Sequence, residues 1–277
     1  MLASLLLLTG CSRNVPANSS VQESTSEVSP AAPLTVTFMK VGKADGMILQ
    51  TEHHTVVIDC GEKSDGKKMA ARLQEYGVTE VDYLILTHYD QDHIGGAAKV
   101  VQNFGVQHIL AADYTEDSKE FRKLTEAMQE KGLSLEIPEE TMTFTLDDAI
   151  FTVYPHIADE YQDGFDNNCS LVTKVEHHSQ TMLFTGDAMQ ERLSEIMDLG
   201  DCDLLKVPYH GREIANLPTF LQAVTPEYAV ISTDEETLSA ATMQELTTRG
   251  IETFVTFCDG SIIATSDGQT ITIETQP

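Results

Sequence analysis

From residue 34 to the C-terminus, short apolar runs of period two alternate with longer segments of period 3.6, the signature of interleaved strands and amphipathic helices. The first half predicts a strand at 34–40, a hairpin with arms 46–51 and 55–59, and a helix over 66–77 with Met69, Leu73 and Tyr76 on one face. A buried strand at 81–87 follows, then helices over 95–103 and 116–131 separated by a strand at 107–111. The second half predicts strands at 149–154, 170–176 and 181–185, a helix over 188–198, a strand at 203–207, a helix over 216–223 and a strand at 228–232. A helix over 237–249 and strands at 252–256, 261–265 and 270–274 close the chain.

The two hairpins are alike. Residues 47–61 and 171–187 each read as strand, Glu-His-His turn, strand, then an acidic residue beside a glycine, Asp59 with Gly61 and Asp187 with Gly186. An internal pseudo-repeat of this kind predicts two packed sheets with helices outside, an α/β chain in a four-layer αβ/βα sandwich. The paired histidines, His53-His54 and His177-His178, fall at hairpin tips far from the Asp ends and read as exposed turn residues.

Ahead of this domain the pattern breaks. Residues 1–11 form a short apolar run ending in Leu8-Thr9-Gly10-Cys11, which resembles a bacterial lipobox with Cys11 as the lipidated residue. Residues 12–33, rich in Ser, Pro, Ala, Asn and Glu, cannot bury a leucine cluster and read as a disordered tether reaching about 70 Å when extended. The expected division is a lipoprotein signal at 1–11, a tether at 12–33 and one domain at 34–277, exported and held outward on the bacterial membrane. The lack of Lys or Arg before the apolar run implies a start codon further upstream.

Composition narrows the chemistry. With 17 Lys+Arg against 44 Asp+Glu the net charge is −27, which opposes strong binding of duplex nucleic acid along a phosphate backbone. The five cysteines (11, 60, 169, 202 and 258) show no C-x-x-C spacing, so neither a thiolate zinc site nor a dense disulfide framework is indicated. Cys60 and Cys169 read as small buried residues.

Chemistry concentrates in Thr87-His88-Tyr89-Asp90-Gln91-Asp92-His93-Ile94-Gly95-Gly96, which follows the buried strand and precedes a helix. Two imidazoles and two carboxylates in six residues at a strand's C-terminal edge suit a divalent cation, which relieves the repulsion between Asp90 and Asp92. Gly95 and Gly96 are expected to leave the site unobstructed. Asp187 sits just beyond another apolar strand, where it could ligate a metal or cap the helix that follows. His210 lies at a third strand end. Asp59 could support the ligand loop or cap a turn.

These residues resemble the metallo-β-lactamase superfamily. Its H-x-[HD]-x-D-H signature is matched by His88, Asp90, Asp92 and His93, and its T-G-D by Thr185-Gly186-Asp187. Val41-Gly42-Lys43-Ala44-Asp45-Gly46, Val57-Ile58-Asp59-Cys60-Gly61, Asn167-Asn168-Cys169-Ser170-Leu171-Val172 and Leu205-Lys206-Val207-Pro208-Tyr209-His210-Gly211 look like motifs of the ComEC-type hydrolase domains of DNA uptake, with Tyr209 in place of one histidine. The resemblance implies a dinuclear site in which His88 and Asp90 hold one metal, Asp92, His93 and His210 the other, and Asp187 both. Asp92 and Asp187 then carry the catalytic part. The first metal has few ligands, because no histidine follows 210; His156 could supply an imidazole or be an ordinary loop residue, and Asn168 could orient substrate or bound water.

A dinuclear hydrolase of phosphodiesters is the implied function, using two divalent ions and a metal-bridging hydroxide, with zinc favoured and manganese admissible. The expected substrate is a small or terminal phosphodiester. An ester or lactone is the runner-up, a non-catalytic metal-binding lipoprotein the rival of another class, and nuclease activity the outcome that the ComEC-type motifs add.

Overall fold

The computed structural model describes residues 31–277; Cys11 with its lipobox, the signal at 1–11 and the tether as far as residue 30 lie outside the described residues. The first half runs β1 (Leu34–Phe38), β2 (Gly46–Gln50), β3 (Thr55–Cys60), α1 (Gly66–Glu75), β4 (Glu80–Leu86), α2 (Gln91–Ile94), α3 (Ala97–Asn103), β5 (Gly105–Ala111) and α4 (Lys119–Lys131). Then come β6 (Met142–Leu146), β7 (Ala149–Tyr154), α5 (Phe165–Asn168), β8 (Val172–His177), β9 (Gln180–Phe184), α6 (Gln190–Glu195) and β10 (Leu204–Lys206). A 3-10 turn (Pro208–Gly211) leads to α7 (Leu217–Val224), β11 (Tyr228–Ile231), α8 (Ala240–Thr248), β12 (Glu252–Val255), α9 (Thr256–Asp259), β13 (Ser261–Ser266) and β14 (Ile271–Gln276).

The strands form two mixed seven-stranded sheets, β14-β13-β1-β2-β3-β4-β5 and β12-β11-β10-β9-β8-β7-β6. Strand alternation explains how they stack. Val36, Phe38, Met47, Leu49, Val56 and Ile58 point toward the other sheet and meet Phe151, Val175, Met182, Phe184 and Leu204. Ile48 and Val57 point the other way, onto Met69 and Leu73 of α1, Val100 of α3 and Leu124 of α4. On the far side Leu183, Leu205 and Ile231 pack against Leu193, Phe220 and Leu246 of α6, α7 and α8. Three apolar seams between four layers make an αβ/βα sandwich, the predicted architecture.

The pseudo-repeat is real in topology. The β2–β3 and β8–β9 hairpins are antiparallel, and each second strand, β3 or β9, is followed across its sheet by parallel strands: β4 and β5 in one, β10, β11 and β12 in the other. Asp59 is next to last in β3 and Asp187 lies just past β9, so both sheets deliver carboxylates to the same seam.

Several expectations are corrected. The helix expected over 95–103 is α3, starting at Ala97, a further short helix α2 precedes it, and the glycines between them serve packing rather than access. A Cβ on Gly96 would fall 2.2 Å from the Cys60 carbonyl oxygen, and one on Gly95 2.4 Å from the Lys63 nitrogen. Strand β6 and the short α5 and α9 had no period to reveal them. The hairpin-tip histidines are not uniformly exposed: His53 is, but His177 is buried with Nδ1 2.9 Å from Ser266 Oγ, and His54 is half-buried with Nδ1 2.7 Å from Asp82. Cys60 and Cys169 are buried and unpaired, as expected.

Phe38 of one sheet stacks on Phe184 of the other with ring centroids 6.0 Å apart, both fully buried. Replacing Phe184 by Ala should cost about 3–5 kcal/mol of stability, read as a lower denaturant midpoint at unchanged slope. A loss under about 1 kcal/mol would mean that the seam closes over the void.

Candidate metal centre

Thr87 leaves β4 and carries its side chain into the seam, where the hydroxyl donates to Asp59 Oδ2 at 2.7 Å and the backbone N–H to Asp59 Oδ1 at 2.9 Å. With its proton committed to Asp59, the Thr87 oxygen is left to accept from His88 Nδ1, 3.1 Å away. His88 Nε2 therefore holds the lone pair, and it is buried without a hydrogen-bond partner. Asp90 Oδ2 stands 3.6 Å from that nitrogen, with 45% of its side chain exposed at the mouth.

The turn into α2 brings Asp92 and His93 back over the same edge. His93 Nδ1 lies 2.7 Å from Asp59 Oδ2, which fixes the ring so that Nε2 points into the seam. Asp59 thus holds both Thr87 and His93 in place. From the second sheet His210 donates through Nδ1 to the Ser232 carbonyl at 3.1 Å, leaving its Nε2 also turned inward. Asp187 Oδ2 is 2.9 Å from His210 Nε2, Asp187 Oδ1 is 3.5 Å from His93 Nε2, and Asp92 Oδ2 is 3.7 Å from His210 Nε2.

Backbone geometry makes this convergence possible. Gly186, at φ 54°, lets β9 turn between Thr87 and Ser170, where a Cβ would come within 2.9 Å of Thr87 Cβ and 3.0 Å of Ser170 Cβ. Tyr209 and His210 both take left-handed conformations, at φ 50° and 52°. Non-glycine residues pay for that geometry, and here it aims the imidazole across the seam.

The decisive feature is the approach of His93 Nε2 to His210 Nε2 at 3.3 Å. With both Nδ1 positions donating, two bare lone pairs would face each other, and only a proton or a cation between them makes the arrangement stable. Without a cation a proton takes that place: burial works against the His93 imidazolium, but Asp187 and Asp59 outweigh it and hold its pKa well above the ordinary value. Burial would likewise raise Asp187, and His210 and His93 instead hold it well below the carboxylate range. Asp92 is also lowered, burial being outweighed by His93 and Lys43, and Asp90 is lowered chiefly by the nearby His88 imidazole. The oxygen and nitrogen donors, with Asp187 Oδ1 and His88 Nε2 both buried and unpaired, fit a divalent cation.

All six residues singled out as ligands, His88, Asp90, Asp92, His93, Asp187 and His210, meet in this one place. Among them His88 faces Asp90, Asp187 faces His93 and His210, Asp92 faces His210, and the His88 and His93 ring centroids lie 4.0 Å apart. Asn168, His156 and Tyr209 are each engaged elsewhere. Asn168 is spent on structure: its Oδ1 accepts from the Met189 and Arg192 backbone N–H groups at 3.1 Å and its Nδ2 donates to the Asp163 carbonyl. It thereby takes the capping role at α6 that was the alternative for Asp187. His156 turns to the carbonyls of Ala158 and Asp113, away from the cluster, and Tyr209 packs on the apolar seam under α7 and α8 with Arg212 over its ring at 5.4 Å.

Asp45 and Lys206 were missed as individual residues, although both stood inside quoted motifs. Asp45, His93, Asp187 and His210 each bring a donor atom within 4.8 Å of the others. Asp45, however, approaches the Nδ1 sides of the two rings, at 3.9 Å from His93 and 3.8 Å from His210, while the inward donors are Nε2. We therefore place it behind the imidazoles, paired with Lys206. A cleft of about 430 Å³ lined by Asp163, Met189, Glu191, Glu213 and Ile214 has none of the six candidate ligands in its wall.

Comparisons with known proteins agree with this fold. Residues 41–234 match the family model of the Metallo-beta-lactamase superfamily. The chain is 29% identical over 219 residues to ComE operon protein 3 of Bacillus subtilis (strain 168), covering 71% of this chain and 28% of that one. It is 25% identical over 204 residues to Recombination protein 2 of Haemophilus influenzae (strain ATCC 51907 / DSM 11121 / KW20 / Rd), covering 70% and 23%. The chain thus spans about a quarter of the length of these relatives. Among solved structures it is similar to the metallo-beta-lactamase fold protein YhfI from Bacillus subtilis, with a TM-score of 0.55 at 15% identity over 81% of this chain and 96% of that one.

If Asp59 orients His93, Asp59→Asn should weaken zinc binding by about 10–100-fold while leaving the ligands in place, measured by competition with a chromophoric chelator. Unchanged affinity would reduce Asp59 to a turn residue.

Proposed function

Because the chain belongs to the metallo-β-lactamase superfamily, we propose that it is a metal-dependent hydrolase of small or terminal phosphodiesters, with His88, Asp90, Asp92, His93, Asp187 and His210 holding two divalent ions. The facing Nε2 atoms of His93 and His210, with unpaired Asp187 Oδ1 and His88 Nε2 in the same cluster, are the observation that carries the reading. Bound there, the ions would supply Lewis acidity toward a phosphoryl or carbonyl oxygen and lower the pKa of water at neutral pH. The protein's own part is positional. Asp59 and Ser232 fix the imidazoles, Gly186 sets Asp187 beside them, and Asp90 at the mouth and Asp92 on α2 complete an anionic cradle.

Charge favours a small diester over a polymer. Over the whole chain, 44 acidic residues against 17 basic ones repel a polyanion, and the few cations at the centre do not offset that along a duplex. An exported, lipid-anchored location through Cys11 belongs to the same reading; among the described residues no helix is long and apolar enough to cross a membrane.

Purified protein should contain close to two zinc or manganese ions per chain by elemental analysis, and Asp187→Ala should lose at least one. The loaded protein should turn over bis(p-nitrophenyl) phosphate, His93→Ala should abolish that turnover, and duplex DNA should be cut only weakly. Rapid, His93-dependent degradation of plasmid DNA at physiological salt would restore the nuclease, whereas turnover of carboxylic esters or lactones alone would move the substrate to the acyl class. Metal without turnover on either panel would leave a binding protein. For the anchor, detergent-phase partitioning should be lost in Cys11→Ala; a soluble native protein retaining residues 1–10 would rule it out.

A further inference from the structure

Lys206 ends β10 fully buried, at the floor of the cluster. Its ammonium pairs with Asp45, donates to the Gly186 carbonyl at 3.0 Å and lies 3.7 Å from Asp187 Oδ1. Asp45 sits just before β2 of the other sheet, its backbone N–H bonded to the Asp92 carbonyl at 3.1 Å, and its carboxylate lies behind both His93 and His210. The pair therefore spans the two sheets directly beneath the residues proposed to hold metal.

We infer that Lys206 is a resident cation of the metal centre, a positioning residue whose charge stands in for part of the metal's charge when the site is empty and keeps the carboxylates assembled. The inference rests on the metal-centre reading. Asp45, Asp59 and Asp187 are all buried, and buried carboxylates are tolerated only with compensating donors or cations. Lys43, the other ammonium at the cluster, is at the rim, 40% exposed and bonded to Asp92 at 2.9 Å. Lys206 is the buried ammonium that reaches both Asp45 and Asp187.

A charge in that role has an effect that mere cross-linking of the sheets does not. It stabilises the metal-free protein and repels the incoming ion, so its removal should make the fold lean on metal. Full-length wild type, Lys206→Met, Lys206→Arg and the uncharged pair Asp45→Asn/Lys206→Met would be stripped with chelator and melted with and without zinc, and zinc affinity measured by chelator competition. Metal-free Lys206→Met should melt about 10 °C lower than wild type. Zinc should restore more to it than it adds to wild type, with a dissociation constant about tenfold lower, and Lys206→Arg should return both quantities toward wild type.

Should Lys206→Met fail to fold without zinc yet fold with it, the inference is supported in its extreme form. Should it fold in neither condition, the double variant decides, since it has no unpaired Asp45 but has still lost the cation beside Asp187; it should show the same enlarged zinc response. Equal zinc shifts and equal affinities in the variants and wild type would overturn the inference and leave Lys206 a structural tie. Failure of wild type itself to bind zinc or manganese would instead overturn the metal-centre reading.

Discussion

Three carboxylates, those of Asp45, Asp59 and Asp187, lie almost wholly out of solvent where the two sheets meet, and burial on that scale is stable only if each is surrounded by donors or cations. Much of the site's geometry answers that demand. Asp59 takes two hydrogen bonds from Thr87 and one contact from His93, Asp187 faces His93 and His210, and Asp45 is matched by Lys206. The local cost is visible in the left-handed backbones of Asp59, Tyr209 and His210, each held by the packing around it.

The pseudo-repeat explains how one seam collects so many charges. Each sheet turns a hairpin and then runs strands in parallel, so the C-terminal ends of β3 and β4 in one sheet and of β9, β10 and β11 in the other open on the same edge. Strand ends of this kind release loops that need not continue the ladder, which frees their side chains for chemistry. Thr87 and His88 leave one sheet there, Asp187 and His210 the other, and Ser232 closes the rear of His210.

Charge distribution also connects fold to substrate. The centre concentrates donors for cations, while the protein as a whole stays acidic. A cation-loaded site in an acidic protein attracts a compact anion over a short range and offers little to a long one, since screening in physiological salt confines the attraction to about 8 Å.

The sequence by itself determined the strand and helix periods, the repeated hairpin, the sandwich class and the six residues that meet at the centre, because these depend on local spacing and on motifs contiguous in the chain. His88, Asp90, Asp92 and His93 were legible for that reason; Asp187 and His210 were legible as strand-end residues within resembling motifs. What stayed hidden depended on partners far apart in the chain. Nothing near Asn168 indicates that it caps α6 in place of Asp187, and nothing near Gly96 indicates that the Cys60 carbonyl leaves no room for a Cβ. Asp45 and Lys206 are 161 positions apart and become a pair only when the sheets close face to face. Only the tertiary structure decided which nitrogen of each histidine looks inward, because that is set by hydrogen bonds to Asp59 and Ser232, whose positions no local pattern encodes.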